Sequence, residues 1–233
     1  MMLGLHPGER ALVIAACPGD ETFGMGGTIA VMAVHGITVD VLAAAIAASV
    51  MPGGSSRAQA RLAEFSGACD VLGVHDRKIE WIDGDRARNL AAHLPDVVAL
   101  IEHGPGPSLA TSQPAAVFVP IAGHHPGRQA VCQAALTAVC PGRGQNQALP
   151  RLVLGYDGPE DRVWRSAERA RPVLVDITGT AAVKGAALGC YVTQVHEDPH
   201  PRSLQKIRAS DQAAGAALGT QAAERFAVYR MVF

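Results

Sequence analysis

The feature that most constrains the fold is a pair of apolar runs separated by a helix-length segment. The first run, ALVIAA at residues 11–16, is flanked by turn-forming residues, which is typical of a strand buried on both faces. Residues 26–35 have the length of a helix and end at Gly36, and TVDVLAA at residues 38–44 predicts a second strand. This order predicts a βαβ unit, whose two strands are parallel.

The same alternation continues along the chain. Further helices are predicted at residues 57–72, in a segment ending near His103, at 126–140, and from Thr178 or Thr180 to about Tyr191. Further strands are predicted at residues 78–83, 115–123, 151–157, 171–178 and 224–233. Ser55 or Ser56 is a candidate cap for the helix at 57–72, and residues 141–150 read as a linker. We therefore expect one α/β domain over residues 1–233, a Rossmann-like, open, mostly parallel sheet with helices on both faces.

The composition excludes several classes of protein. Hydrophobic residues make up 48% of the chain, and a formal net charge of −1 with 4% aromatic residues does not favour nucleic-acid binding. The N-terminus has no basic segment leading into an apolar one, and the apolar residues 39–51 are too few to span a membrane. We expect a cytoplasmic protein that binds neither nucleic acid nor membrane. Residues 41–51 suit either the core or the interface of a homo-oligomer.

The cysteines do not form a recognisable framework. There are five, and no two are spaced as Cys-x-x-Cys. An odd number without that spacing disfavours both a disulfide scaffold and a structural zinc knuckle.

Two loops follow predicted strands at the edge where parallel α/β sheets bind ligands. The first, CPGDET, contains Cys17 and Asp20, and the second, GHHPGR, contains His124 and His125. By residue type these could bind zinc, or Cys17 could act as a nucleophile beside a histidine. The pattern alone favours structural roles, namely a buried thiol, a helix cap and loop histidines bonded to backbone. Two long loops, at 104–113 and 196–203, are expected to surround the same pocket.

Several segments together resemble the LmbE-like (PIG-L) family of zinc-dependent deacetylases and amidases. That family has AHPDDE before a glycine-rich helix start, then Arg-x-x-Glu on a helix ending in Leu-Gly, then His-Pro-Asp-His. The corresponding segments here are ACPGDETFGMGGT, RLAEFSGACDVLG and HHPGR, together with LPDVV, VDIT, VKGAALGCYVTQ and AERF. The resemblance covers nearly the whole chain and implies the LmbE-like fold and a small-molecule substrate.

The resemblance also implies which residues would carry the chemistry. The positions that match the family's three zinc ligands are Cys17, Asp20 and Arg128, and the position that matches its general base is Gly19. The retained His125 matches a histidine that helps to stabilise an oxyanion. An arginine side chain stays protonated and cannot ligate zinc. We therefore expect no metal or other cofactor, and a buried ion pair between Arg128 and Asp20.

These observations predict a metal-independent enzyme built on the deacetylase fold. Its substrate would be an amino sugar, a glycoside or a natural-product intermediate. The catalytic candidates are Asp20, His125 and Cys17. The substrate-binding candidates are Arg61, Arg128, His124, Tyr191 and Gln194.

Three alternatives stay open. The first is a non-catalytic pseudoenzyme that binds a ligand or a partner. The second is a zinc-dependent N-deacetylase or amidase with rewired ligands, Cys17, Asp20 and His124 or His125. Glu21 would then be the nearest replacement for the missing base. The third is a thiol mechanism that pairs Cys17 with His125, with the pKa of the thiol lowered by a helix N-terminus and by Arg128.

Overall fold

The computed structural model describes residues 2–46, 57–142, 149–161 and 172–232. Its strands are β1 (Arg10–Ala15), β2 (Thr38–Ile46), β3 (Asp76–Ile82), β4 (Ala116–Pro120), β5 (Leu152–Tyr156), β6 (Val173–Asp176) and β7 (Ala223–Met231). Its helices are α1 (Asp20–Val34), α2 (Arg57–Leu72), α3 (Gly84–Arg88), α4 (Leu94–His103), α5 (Leu109–Ser112), α6 (Pro126–Ala138), α7 (Ala181–Gly189) and α8 (Leu204–Ala216). The predicted serine cap at Ser55 or Ser56 lies outside the described residues, as do residues 143–148 of the predicted linker.

The strands form one seven-stranded sheet in the order β3-β2-β1-β4-β5-β7-β6. The first five of these strands run parallel, and β7 runs antiparallel to both β5 and β6. The prediction of an open, mostly parallel sheet is confirmed. None of the helices in the described ranges is both long and apolar enough to cross a membrane.

Strand β1 lies inside the sheet and shows why its sequence is continuously apolar. Val13 is in register with Val41 of β2 on one side and with Phe118 of β4 on the other. Val13 belongs to a hydrophobic cluster on one face of the sheet, and its neighbours Leu12 and Ile14 belong to a second cluster on the other face. Helices cover both clusters, so a polar residue on either face of β1 would be buried.

Helix α1 has two parts joined by a kink, and the first part precedes the predicted start at residue 26. It starts at Asp20, but the backbone at Met25 leaves the helical region (φ −149°, ψ 22°). The freed N–H groups of Gly27 and Thr28 donate to the Glu224 carboxylate of β7, over 3.0 and 2.7 Å. A carboxylate from a distant strand therefore caps the second half of the helix, which begins close to the predicted start.

Helices α3, α5 and α8 were not predicted. The Ser203 hydroxyl caps α8 by accepting a hydrogen bond from the N–H of Lys206 over 3.2 Å. Few large apolar residues mark this helix, since its buried positions are Ile207, Asp211, Ala214 and Gly215. The cap was therefore the main local signal for α8.

The sheet topology brings three loops together. Strands β1, β4 and β5 are adjacent and parallel, so the segments that follow Ala15, Pro120 and Tyr156 leave the sheet at the same edge. In open α/β sheets this carboxyl edge is the usual place for a ligand.

Candidate functional site

A cavity of about 230 Å³ lies at this edge of the sheet. It is lined by Cys17, Pro18, Asp20, Arg61, His125, Arg128, Gln194 and Arg202. Both loops singled out in the sequence contribute to it, and helix α2 and the segment after α7 supply the other lining residues. Of the two long loops expected to surround the pocket, 196–203 contributes Arg202. Residues 104–113 line no part of it, and Ser112 instead donates to Asp40 of β2 over 2.7 Å.

The predicted ion pair between Asp20 and Arg128 is present and buried. Arg128 donates from Nε and Nη2 to Asp20 Oδ1, over 3.0 and 2.7 Å, and both side chains are 6% exposed. Asp20 Oδ2 accepts from the N–H of Cys17 over 3.1 Å. Burial alone would raise the pKa of Asp20, but the charge and hydrogen bonds of Arg128 outweigh it and hold that pKa below its ordinary value. Asp20 is therefore an ionised partner of Arg128.

A second carboxylate holds Arg128 from the other side. Arg128 Nη1 donates to Asp161 Oδ2 over 2.8 Å and lies 3.6 Å from Glu160 Oε2. Sequence reasoning missed both acids, although they follow β5 at the same edge of the sheet. That placement was the available signal. Burial alone would lower the pKa of Arg128, but the neighbouring carboxylates outweigh burial and raise that pKa above its ordinary value.

Two glycines make room for this charge cluster. A Cβ atom on Gly123 would lie 1.9 Å from Asp161 Oδ1, and one on Gly158 would lie 2.5 Å from Arg128 Nη1. Any larger residue at either position would displace the carboxylate or the guanidinium. The loops after β4 and β5 are thus shaped around Arg128.

The residues around Asp20 do not fit a zinc ion. Arg128 occupies the third ligand position implied by the resemblance, and both oxygens of Asp20 already accept hydrogen bonds. Among the residues that the structure describes, no three His, Cys, Asp or Glu side chains are grouped so as to hold a metal ion. The rewired ligand set of Cys17, Asp20 and a histidine is therefore not assembled.

The thiol of Cys17 is not activated. Burial, and to a lesser extent the charge of Asp20, raise its pKa to about 11, although Arg61 and Arg128 lower it in part. The expectation of a lowered pKa is wrong, because desolvation and a neighbouring carboxylate outweigh the cations. At neutral pH Cys17 is a protonated thiol.

His125 differs from its neighbours in the cavity. Its exposed side chain lines the cavity and has no hydrogen-bond partner among the described residues. Partial burial and the positive charge of Arg128 lower its pKa, so the ring is neutral at pH 7 and can accept a proton. Gly127 lets the ring lie close to the backbone, since a Cβ there would be 3.2 Å from His125 Cε1.

Tyr191, a predicted substrate-binding residue, lies below the cavity and does not line it. It is fully buried, its hydroxyl donates to Glu21 Oε1 over 2.7 Å, and its ring packs against Phe23. Glu21 is also fully buried and needs these donors. It accepts further bonds from the Thr22 hydroxyl and the N–H of Gly19. Glu21 therefore anchors the loop and is not placed to replace a catalytic base.

The other substrate-binding candidates divide into two groups. His124 is exposed and lies outside the cavity wall, with Nδ1 3.1 Å from Asp161 Oδ1. Gln194 lines the cavity and accepts from Arg202 Nη1 over 3.2 Å. Arg61 also lines it and donates from Nη2 to the carbonyl of Pro18 over 3.1 Å. Arg202 had not been predicted as a site residue.

Comparison with known proteins shows what this fold is similar to. No family model and no curated protein sequence matches the chain. Solved structures do match, at low identity. N,N'-diacetylchitobiose deacetylase from Pyrococcus horikoshii is 20% identical, with 94% of this chain and 83% of the other covered and a TM-score of 0.69. The A40926 pseudoaglycone deacetylase Dbv21 is also 20% identical, covering 96% and 98% with a TM-score of 0.71.

A third similar structure has a different activity. GalB from Pseudomonas putida, a 4-carboxy-2-hydroxymuconate hydratase, is 19% identical, covering 97% and 98% with a TM-score of 0.67. The expected fold, an open, mostly parallel sheet with helices on both faces as in LmbE-like proteins, is therefore confirmed. Since one fold carries both deacetylases and a hydratase, the fold alone does not determine the reaction.

Proposed function

We propose that this protein is a metal-independent enzyme that acts on a small polar molecule, with His125 transferring the proton. The observation that carries the proposal is the Arg128 guanidinium, buried against Asp20 and Asp161 where a zinc ligand would otherwise lie. The deacetylase fold supports an N-acylated amino sugar, a glycoside or a natural-product intermediate as the substrate.

The chemical states of the lining residues support His125 as the base. Asp20 is ionised but bonded to Arg128, and the Cys17 thiol, with a pKa of about 11, is protonated at neutral pH. His125 is neutral and has no hydrogen-bond partner among the described residues. A general base must have a free lone pair and reach the proton that it removes, and among the lining residues His125 meets the first requirement best.

The proposed step for an N-acyl substrate follows from this arrangement. Water adds to the amide carbonyl carbon, and His125 accepts the proton that the water loses. The carbonyl oxygen becomes an oxyanion beside Arg128, whose charge stabilises it. The C–N bond then breaks, and His125 returns the proton to the leaving nitrogen. The products are a carboxylic acid and an amine.

The test uses the purified full chain and a panel of N-acetylated amino sugars and glycosides, with acetate release as the measurement. We expect turnover that survives treatment with a metal chelator and falls by about 10²–10⁴-fold in His125→Gln. His35→Gln is the matched control, because this exposed histidine follows α1 and contacts the backbone carbonyl of Val31. Stoichiometric zinc together with chelator-sensitive turnover would refute the proposal.

Non-catalytic binding is the second candidate. It is favoured by the engagement of both Asp20 oxygens and by the unactivated thiol of Cys17, which leave His125 as the one available acid–base group among the described lining residues. If ligands bind without being converted, and binding is unchanged in His125→Gln, this second candidate replaces the first.

A further inference from the structure

Among the residues that the structure describes, three arginines line the cavity, and two of them contact carboxylates there. Arg128 is bonded to Asp20 and Asp161, and Arg202 is bonded through Nε to Glu160. For Arg61, no carboxylate lies within 4.0 Å among the described residues. Within the described ranges, Arg61 makes one hydrogen bond, to the carbonyl of Pro18, and its buried Nε has no partner. A guanidinium has five N–H donors, so the described residues leave most of the donor capacity of Arg61 unfilled.

The carboxylate closest to Arg61 in sequence is used elsewhere. Glu64 lies three residues further along α2, at a spacing that often forms an ion pair on a helix. Its oxygens instead accept from the N–H and hydroxyl of Thr193, over 2.6 and 2.8 Å. Glu64 thereby anchors the segment that carries Gln194. It does not form an ion pair with Arg61.

Arg202 also lines the cavity and is held in place by its neighbours. Its guanidinium carbon lies 5.3 Å from the centre of the Phe23 ring, and Nη1 donates to Gln194. This contact with an aromatic ring and the bond to Glu160 restrain the orientation of the guanidinium. Arg202 therefore presents a restrained guanidinium to the cavity that Arg61 also lines.

We propose that the cavity recognises its substrate through a carboxylate group that binds Arg61, with Arg202 as the supporting cation. The inference deepens the proposed function and rests on the same cavity. The positive charges of the three cavity arginines are already equalled by the negative charges of three carboxylates, those of Asp20, Glu160 and Asp161. A single carboxylate therefore adds less uncompensated charge than a phosphate dianion would. The planar fork of a guanidinium also matches the geometry of a carboxylate.

The test measures binding of small probes to the full chain by calorimetry and by thermal shift, at constant ionic strength. Butyrate is the carboxylate probe, butyramide its uncharged counterpart, and inorganic phosphate the alternative anion. We expect butyrate to bind and to raise the melting temperature, and butyramide to do neither. In Arg61→Gln the Kd for butyrate should rise at least tenfold. Arg151→Gln is the matched control, since Arg151 precedes β5 at the opposite edge and pairs with Glu9.

Each outcome decides the proposal. Equal binding of butyrate and butyramide, or an unchanged Kd in Arg61→Gln, would overturn it, and stronger binding of phosphate than butyrate would overturn the choice of carboxylate. If Arg61→Gln does not fold, as judged by circular dichroism, Arg202→Gln takes its place with an expected Kd increase of several-fold. Metal-independent turnover of uncharged substrates without butyrate binding would refute this inference and leave the proposed function standing.

Discussion

Replacing Arg128 by methionine should destabilise the protein strongly. The substitution keeps much of the side-chain length but leaves Asp20 and Asp161 buried without their shared cation. The two carboxylate side chains are 6% and 0% exposed, so water cannot replace the guanidinium unless the loops move. Removing one partner of a buried ion pair costs about 3–5 kcal/mol.

This free energy corresponds to a large thermal shift. For a chain of this length, each kcal/mol lowers the melting temperature by about 2–4 °C, so we expect Arg128→Met to melt about 6–20 °C lower. Differential scanning calorimetry and urea unfolding at pH 7 measure the change. Arg151→Met is the control, because its partially exposed pair with Glu9 contributes about 0–1 kcal/mol. A shift below about 2 °C for Arg128→Met, or one equal to that of the control, would refute the reasoning.

The stability difference should also depend on pH. In the native chain the pKa of Asp20 lies below its ordinary 3.8, so its stabilising contribution is complete above that value and is lost as the pH falls through the lower folded-state pKa. In Arg128→Met, burial without a cation raises the pKa of Asp20, and ionisation then destabilises the fold as the pH rises. The gap between the two proteins should widen from about pH 4 to about pH 7. A constant gap would show that Asp20 does not respond to Arg128.

Three further predictions test neighbouring features. The kcat/KM for an N-acetylated substrate should fall on the acid side with a midpoint below 6.5, since His125 must be neutral and its pKa is lowered; a midpoint above 6.5 would exclude it as the base. Cys17, with its pKa near 11, should react with a disulfide reagent at neutral pH more slowly than the exposed Cys140; faster labelling of Cys17, mapped by mass spectrometry, would contradict this. Gly24→Ala should lose about 1–3 kcal/mol in urea unfolding, because its Cβ would lie 2.4 Å from Tyr156. Gly185→Ala, with nothing within 4 Å, is the control and should lose no stability.

The sheet could be predicted because strands buried on both faces consist of continuous apolar residues, which the sequence shows directly. Strand β1 is covered on both faces, so every residue in its interior must be apolar. The kink of α1 left no such trace, because it depends on Glu224, nearly 200 positions away. Helix α8 was missed because alanine-rich burial gives a weak periodic signal.

The site was predictable only where charge complementarity could be read from two motifs. Asp20 and Arg128 stand at positions that match two zinc ligands of the resembled family, and their opposite charges predicted the contact that the structure contains. Asp161 lies 33 positions after Arg128 in a segment without a motif, and only the adjacency of β4 and β5 brings it near. Tyr191 was misplaced because a tyrosine suits a pocket wall and a buried hydrogen bond equally well, and its partner Glu21 decides between them.

The backbone at Gly19, the position that matches the general base of the resembled family, does not favour a carboxylate. Gly19 has φ +101°, outside the range that side-chain-bearing residues readily adopt, and its N–H donates to Glu21. A carboxylate introduced there would strain this turn, and Arg128 would still be bonded to Asp20. We therefore expect that Gly19→Asp alone does not create a metal site. Each carboxylate oxygen of Asp20 accepts a hydrogen bond, Oδ1 from Arg128 and Oδ2 from the N–H of Cys17. A site that had only lost its ligands would leave that buried carboxylate uncompensated, so its full engagement favours a site organised around arginine.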